Sequence, residues 1–179
     1  MTSIWVESLG SNLQAALDLM EAAIRDCTDE LWQTNMWPVP GQACEVRDAD
    51  GNLVTDPAEQ HELVQRNGQP WGVAWHTLNI LDANLTAHFV PWEPWPPFGG
   101  RTGDDITTLT RPWSRDKLLG YTDYCRQRVV DALKELTDER AATRIGRSGQ
   151  LYAERVIGKM CHVVEHASQI RQFITAAGC

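Results

Sequence analysis

The segment His162-Val163-Val164-Glu165-His166 places two imidazoles four residues apart. Inside a helix this spacing projects both rings from one face, about one turn apart. Two ring nitrogens so placed can share one divalent ion at about 2.0–2.1 Å each while the backbone stays regular. Paired surface histidines that bind nothing show the same spacing, so the spacing alone leaves both readings open. The pair flanks Val163 on the side shared with Gly158, Ile170 and Phe173, which turns it inward or toward a groove. A third imidazole, His76, lies within the apolar strip Val73–Ile80–Ala83–Ala87. A buried imidazole needs a partner, and either a metal ion or a neighbouring carbonyl can serve. The five residues also spell HxxEH, the inverted zincin peptidase pattern. That chemistry needs an acidic ligand well downstream, and the thirteen residues after His166 contain neither Asp nor Glu. The peptidase reading therefore fails. Glu165 is left as a candidate general base or second-layer partner, against the plainer reading of a solvated helix face. His61, in Glu59-Gln60-His61-Glu62, and His88, near a helix end where a cation is favoured, are read as incidental.

Four helices are needed to position these groups. In the first, Leu13, Leu17, Met20, Ile24, Cys27 and Leu31 recur by threes and fours, with Ser11 and Gln14 placed as a capping box. The second opens at Pro70 and extends to about Phe89; it carries Trp71, Trp75, Leu78 and Leu85 on one side and the His76 strip on the other. The third starts near Ser114 with Leu118, Cys125, Val129, Ala132 and Leu136 on one face. The fourth starts near Ser148 and runs through Val156, Met160, Val163, Ala167, Ile170 and Ile174. Between the first two helices, residues 36–69 lose the helical period, and Asp50-Gly51 within Glu45–Val54 predicts a small β-hairpin. Residues 90–112 are dense in Pro, Gly and Trp and cannot continue a helix. The expected fold is all-α: one domain over residues 1–179, a four-helix bundle with long crossover connections.

The chain has 24 Asp and Glu against 16 Lys and Arg, a formal charge of −8, and lacks the basic patch a nucleic acid or anionic membrane would need. The N-terminus shows neither the basic start nor the apolar block of a signal peptide, and no apolar stretch approaches a membrane span. The five cysteines are scattered and form no CxxC pair; Cys27, Cys125 and Cys161 fall in helical patterns and read as reduced core residues of a cytoplasmic protein.

Several segments together resemble the DinB-like superfamily of bacterial four-helix bundles, which includes the YfiT-like proteins and the mycothiol- and bacillithiol-dependent transferases and isomerases. They are Cys27-Thr28-Asp29-Glu30-Leu31-Trp32, Pro70-Trp71 through Trp75-His76, Leu136-Thr137-Asp138-Glu139, and Cys161-His162 through Gln169-Ile170. The resemblance implies that His76, His162 and His166 ligate a divalent ion. Three imidazoles with an open fourth position describe a catalytic zinc site, with nickel as the alternative. Such a site activates water for hydrolysis or holds a thiol as thiolate, and characterised relatives lean toward thiol transfer or thiol-assisted isomerisation. The implied partners are a low-molecular-weight thiol and a small-molecule electrophile, without nucleic acid or membrane, and a homodimer is allowed. A metal-dependent hydrolase and a non-catalytic metal-binding stress protein are the alternatives. Trp92, Trp95 and Trp113 either line a pocket for a flat electrophile or cap the core from the loops.

Overall fold

Leu13, Leu17, Met20 and Ile24 are fully buried, and the stripe they form continues back through Leu9. The first helix, α1 (Ile4–Asp26), accordingly begins about two turns before the expected cap at Ser11. In this computed structural model, which describes residues 4–39, 46–48, 50–86, 89–109 and 111–178, three more long helices follow: α4 (Pro70–Thr86), α5 (Arg115–Lys134) and α7 (Tyr152–Ala176). Each of α1 and α4 packs against both α5 and α7, so the four enclose one apolar core. Trp71, Trp75 and Leu78 of α4, Leu118, Tyr121 and Val129 of α5, and Val163, Ala167 and Ile170 of α7 all turn into it. The chain is mostly helical, in keeping with the all-α expectation. No helix among the described residues is long and apolar enough to cross a membrane.

The short elements depart from the expectation in instructive ways. α1 stops at Asp26, and Thr28 caps a separate one-turn helix, α2 (Asp29–Trp32), by accepting from the Leu31 N–H. Residues 57–65, expected as loop, form α3 (Pro57–Gln65). Its start carries two local signals, an Asp56 carboxylate that accepts from the Ala58 N–H at 2.9 Å and a proline at the first position. The hairpin expected at Glu45–Val54 is reduced to a single antiparallel bridge between Arg47 and Leu53, flanked by the Val54 N–H donating to Val46 O at 2.9 Å; Glu45 and Ala49 lie outside the described residues. The two-stranded sheet lies elsewhere, where β1 (Arg144–Ile145) pairs with β2 (Gln150–Leu151) across a Gly146–Gly149 turn. It follows the one-turn helix α6 (Asp138–Ala141), and it delays the start of α7 from Ser148 to Tyr152. α5 begins where expected, with Ser114 Oγ accepting from the Lys117 N–H at 3.3 Å.

Among the described residues, one charged group sits fully inside the core. Asp82 of α4 is 0% exposed and accepts from three side chains: Arg128 Nε at 3.0 Å, Tyr121 Oη at 3.1 Å and Trp92 Nε1 at 3.0 Å. Arg128 also reaches Thr86 Oγ1 at 2.6 Å. The carboxylate thereby joins α4, α5 and the segment after α4, and holds the helix that carries His76.

Candidate functional site

His162 and His166 stand on the α7 face that turns toward α4, beside the fully buried Val163. Both are half-buried, and their rings meet edge to face with centroids 4.4 Å apart. His76, also half-buried, projects from α4 across the same seam, with centroids 5.6 Å from His162 and 6.3 Å from His166. Two helices distant in sequence thus bring all three expected ligands together. Glu165 does not join them: it is exposed and is not among the described residues that line the cavity beside the cluster.

The ring nitrogens have distinct roles. His166 Nδ1 lies 2.7 Å from Gln169 Oε1, one turn along α7. A carboxamide oxygen can only accept, so Nδ1 carries the proton and His166 Nε2 presents its lone pair. That lone pair accepts from His162 Nε2–H at 3.1 Å, a proton that would move to His162 Nδ1 on ligation. An ion bound to both nitrogens at about 2.0–2.1 Å would subtend an angle of about 100°, close to tetrahedral. Burial holds the pKa of His162 down at about 4, helped by the neighbouring charges of His166, His76 and Lys159. Its imidazole is therefore neutral at pH 7, the form that can donate a lone pair to a metal. His162 Nδ1 is buried without a hydrogen-bond partner, a state that costs about 1–3 kcal/mol when nothing compensates it.

The donor set fits a divalent ion, while its present spacing differs from a ligated one. Among the described residues, no group of three or more His, Cys, Asp or Glu side chains is already gathered tightly enough to hold an ion. Three imidazoles around one tetrahedral ion keep their centroids about 5 Å apart. The α7 pair is closer than that and His76 stands farther away, so ligation requires the His76 ring to swing inward.

The cluster opens into a cavity of about 360 Å³. Trp37, Val39 and Val73 give it apolar walls, and Asn67 and Gly103 complete them beside His76 and His166. None of Trp37, Val39, Asn67 or Gln169 was singled out from sequence. Gly103 opens a 3-10 turn (Gly103–Thr108) that packs against α4, with its N–H donating to Asn79 Oδ1 at 3.0 Å. A Cβ at this position would lie 2.9 Å from the His76 Cα, so only glycine allows the approach. We expect Gly103→Ala to displace the 3-10 turn and weaken metal binding by about tenfold or more, with the helical circular dichroism unchanged; isothermal titration with zinc reads the change.

The tryptophans of the loops serve the core instead of the cavity. Trp95 stacks on Tyr121 at 5.3 Å, Trp113 meets Trp75 edge to face at 5.3 Å, and Trp92 bonds to Asp82. Of the cysteines, Cys27 and Cys125 are buried as expected; Cys161 is exposed on the outer face of α7, because it lies one position before His162 and so falls on the opposite side from Val163. His61 is exposed on α3 and is not among the described residues that line the cavity. His88, Ala87, Cys44 and Cys179 lie outside the described residues.

No protein-family model and no curated protein matches the sequence. Among solved structures, the fold is similar to that of a conserved protein from Enterococcus faecalis, with a TM-score of 0.61 and 13% identity, over 97% of this chain and 96% of that one.

Proposed function

We propose that this chain is a four-helix bundle of the DinB-like kind that holds a divalent metal ion, zinc or nickel, on His76, His162 and His166 and uses it in low-molecular-weight-thiol-dependent transfer or isomerisation. The observation that carries the reading is the convergence of the three imidazoles from α4 and α7 at the mouth of a cavity large enough for a small molecule. The likeness to the Enterococcus faecalis protein supports the architecture alone. A divalent ion in such a site supplies a Lewis acid that keeps a thiol deprotonated at neutral pH.

The chain's own residues prepare the rest. Gln169 fixes the His166 tautomer, and partial burial keeps His162 neutral. The apolar cavity walls exclude water from the electrophile. The buried Asp82 network ties α4 to α5, and the Gly103 contact ties it to the 3-10 turn. Glu165, exposed on α7 beside His166 in sequence, is proposed as the base, and a homodimer in a cytoplasmic setting belongs to the same proposal.

Protein substituted with cobalt tests the function. Adding mycothiol, bacillithiol or glutathione should produce a thiolate–cobalt band in the near ultraviolet; a general anion should not. His162→Ala should lose the band, and Glu165→Gln should keep it while slowing turnover. An absent band together with metal-dependent ester hydrolysis would move the protein to the hydrolase class, and silence in both assays to the non-catalytic one.

Stripping the ion should leave the fold largely in place, because the core of apolar stripes is built independently of the site. We expect chelator to preserve the helical circular dichroism. Zinc at a hundred times its dissociation constant should raise the melting temperature by about 5–10 °C. Collapse to coil on chelation would make the site structural.

A further inference from the structure

The segment Trp37–Val39 belongs to no helix or strand, yet it is held firmly. Gln65, at the end of α3 and buried at 8% exposure, grips Val39 from both sides: its Nε2 donates to Val39 O at 2.7 Å, and its Oε1 accepts from the Val39 N–H at 3.0 Å. The Met36 N–H donates to Gly68 O at 2.9 Å. Gly68 lets the segment lie close, since a Cβ there would stand 2.8 Å from Trp37 O and 2.9 Å from Val39 Cγ2. Three contacts thus fix a short loop that the helical core does not require. Its side chains, Trp37 and Val39, form the cavity wall beside His76 and His166.

The chemistry of that wall is specific. Among the described residues that line the cavity there is no carboxylate, ammonium or guanidinium; its polar groups are imidazoles and the Asn67 carboxamide. Arg66, beside Asn67, is engaged with the Leu109 carbonyl and pairs with Glu62 at 3.7 Å. A charged substituent moved from water onto such a wall finds no counter-ion and keeps its desolvation cost. A planar apolar group finds an indole to stack on, held in place in advance of binding.

We infer that the Trp37–Val39 segment, latched by Gln65, is the specificity wall of the histidine site and selects, as the electrophile that the thiol meets there, an uncharged molecule carrying a flat apolar group. The inference deepens the proposed function and rests on the histidine cluster being the chemical centre. Its test is done on metal-free protein, so a chain that holds no ion can still pass or fail it.

Benzamide, benzoate and benzamidinium share one planar shape and differ in charge. Titrated into nitrogen-15-labelled, metal-free protein at pH 8, where unperturbed imidazoles are neutral, benzamide should shift the Trp37 indole N–H resonance. It should bind at least about tenfold tighter than either charged isostere. Trp37→Ala should weaken benzamide by about tenfold, and Gln65→Ala should weaken it several-fold while leaving the circular dichroism unchanged. Val39→Asp, which places a carboxylate at a half-buried position of the wall, should make benzamidinium the preferred probe. Failure of benzamide to bind, binding of benzoate or benzamidinium to the parent as tight as that of benzamide, or an unchanged affinity in folded Trp37→Ala would each overturn the inference. Metal content, measured separately, decides the metal reading whichever way these titrations fall.

Discussion

Protein carrying His166→Ala should purify with less than about a tenth of the zinc held by the parent, and its affinity should fall by at least about a hundredfold. Two effects combine at this position. The substitution removes one of the two nitrogens that already face each other at 3.1 Å, and it discards an imidazole that Gln169 orients through Nδ1. His162→Ala should be equally severe. His76→Ala should also abolish stoichiometric binding, since two ligands from one helix are left with no partner across the seam. Gln169→Ala should cost about 10–100-fold, as expected for a group that orients a ligand without touching the ion. His61→Ala, exposed on α3, should bind as the parent does. Elemental analysis and competition against a chromogenic chelator read all five variants, and parental zinc content in His166→Ala would end the triad proposal.

The largest effect on stability should come from a residue outside the cluster. Asp82→Ala should destabilise the fold by about 3–5 kcal/mol, because it leaves Arg128 without its anion and the Tyr121 hydroxyl and Trp92 indole without an acceptor. For a chain of this length the melting temperature should fall by about 10 °C. Asp82→Asn keeps one acceptor oxygen and the volume, and should cost about 1–3 kcal/mol. Tyr121→Phe, which removes a single donor, should cost about 1 kcal/mol. Replacing Asp82 and Arg128 together by leucine should recover part of the loss, since a buried ion pair and a well-packed apolar pair often balance. Urea unfolding followed by circular dichroism ranks the four. A loss under 1 kcal/mol for Asp82→Ala would show that Arg128 reaches solvent and that the pair contributes little.

The four long helices were legible because each keeps an apolar stripe over several turns, and that pattern depends on burial alone. Ser114 and Pro70 marked their starts through local hydrogen bonding and fixed φ, which leave a trace in the sequence. α3 carried the same kind of trace in Asp56-Pro57, but its weak amphipathicity hid it among the prolines and glycines around it. The short β1–β2 pair left no periodic signal, since two residues per strand define no alternation. In the site, histidine spacing along α7 could be read directly, and His76 could be joined to the pair only through resemblance. What escaped was everything set by tertiary approach: Trp37 and Val39 reach the cavity because Gln65 holds them, and Gly103 matters because of what it touches on α4. The abundant loop tryptophans drew attention by composition, yet the indole at the cavity is an isolated one from residues 36–39.

The histidine cluster joins α4 to α7, and nearly half the chain lies between its members. A contact of such long sequence separation costs more loop-closure entropy than one between neighbouring helices, and we expect it to close after them. Any ligand of the cluster therefore meets a chain that has already folded. Interactions absent from the transition state act on the rate of unfolding and leave the rate of folding nearly untouched. In a chevron plot, saturating zinc should lower the unfolding limb and leave the refolding limb where it was, so that the bound ion lengthens the lifetime of the native chain without guiding its formation.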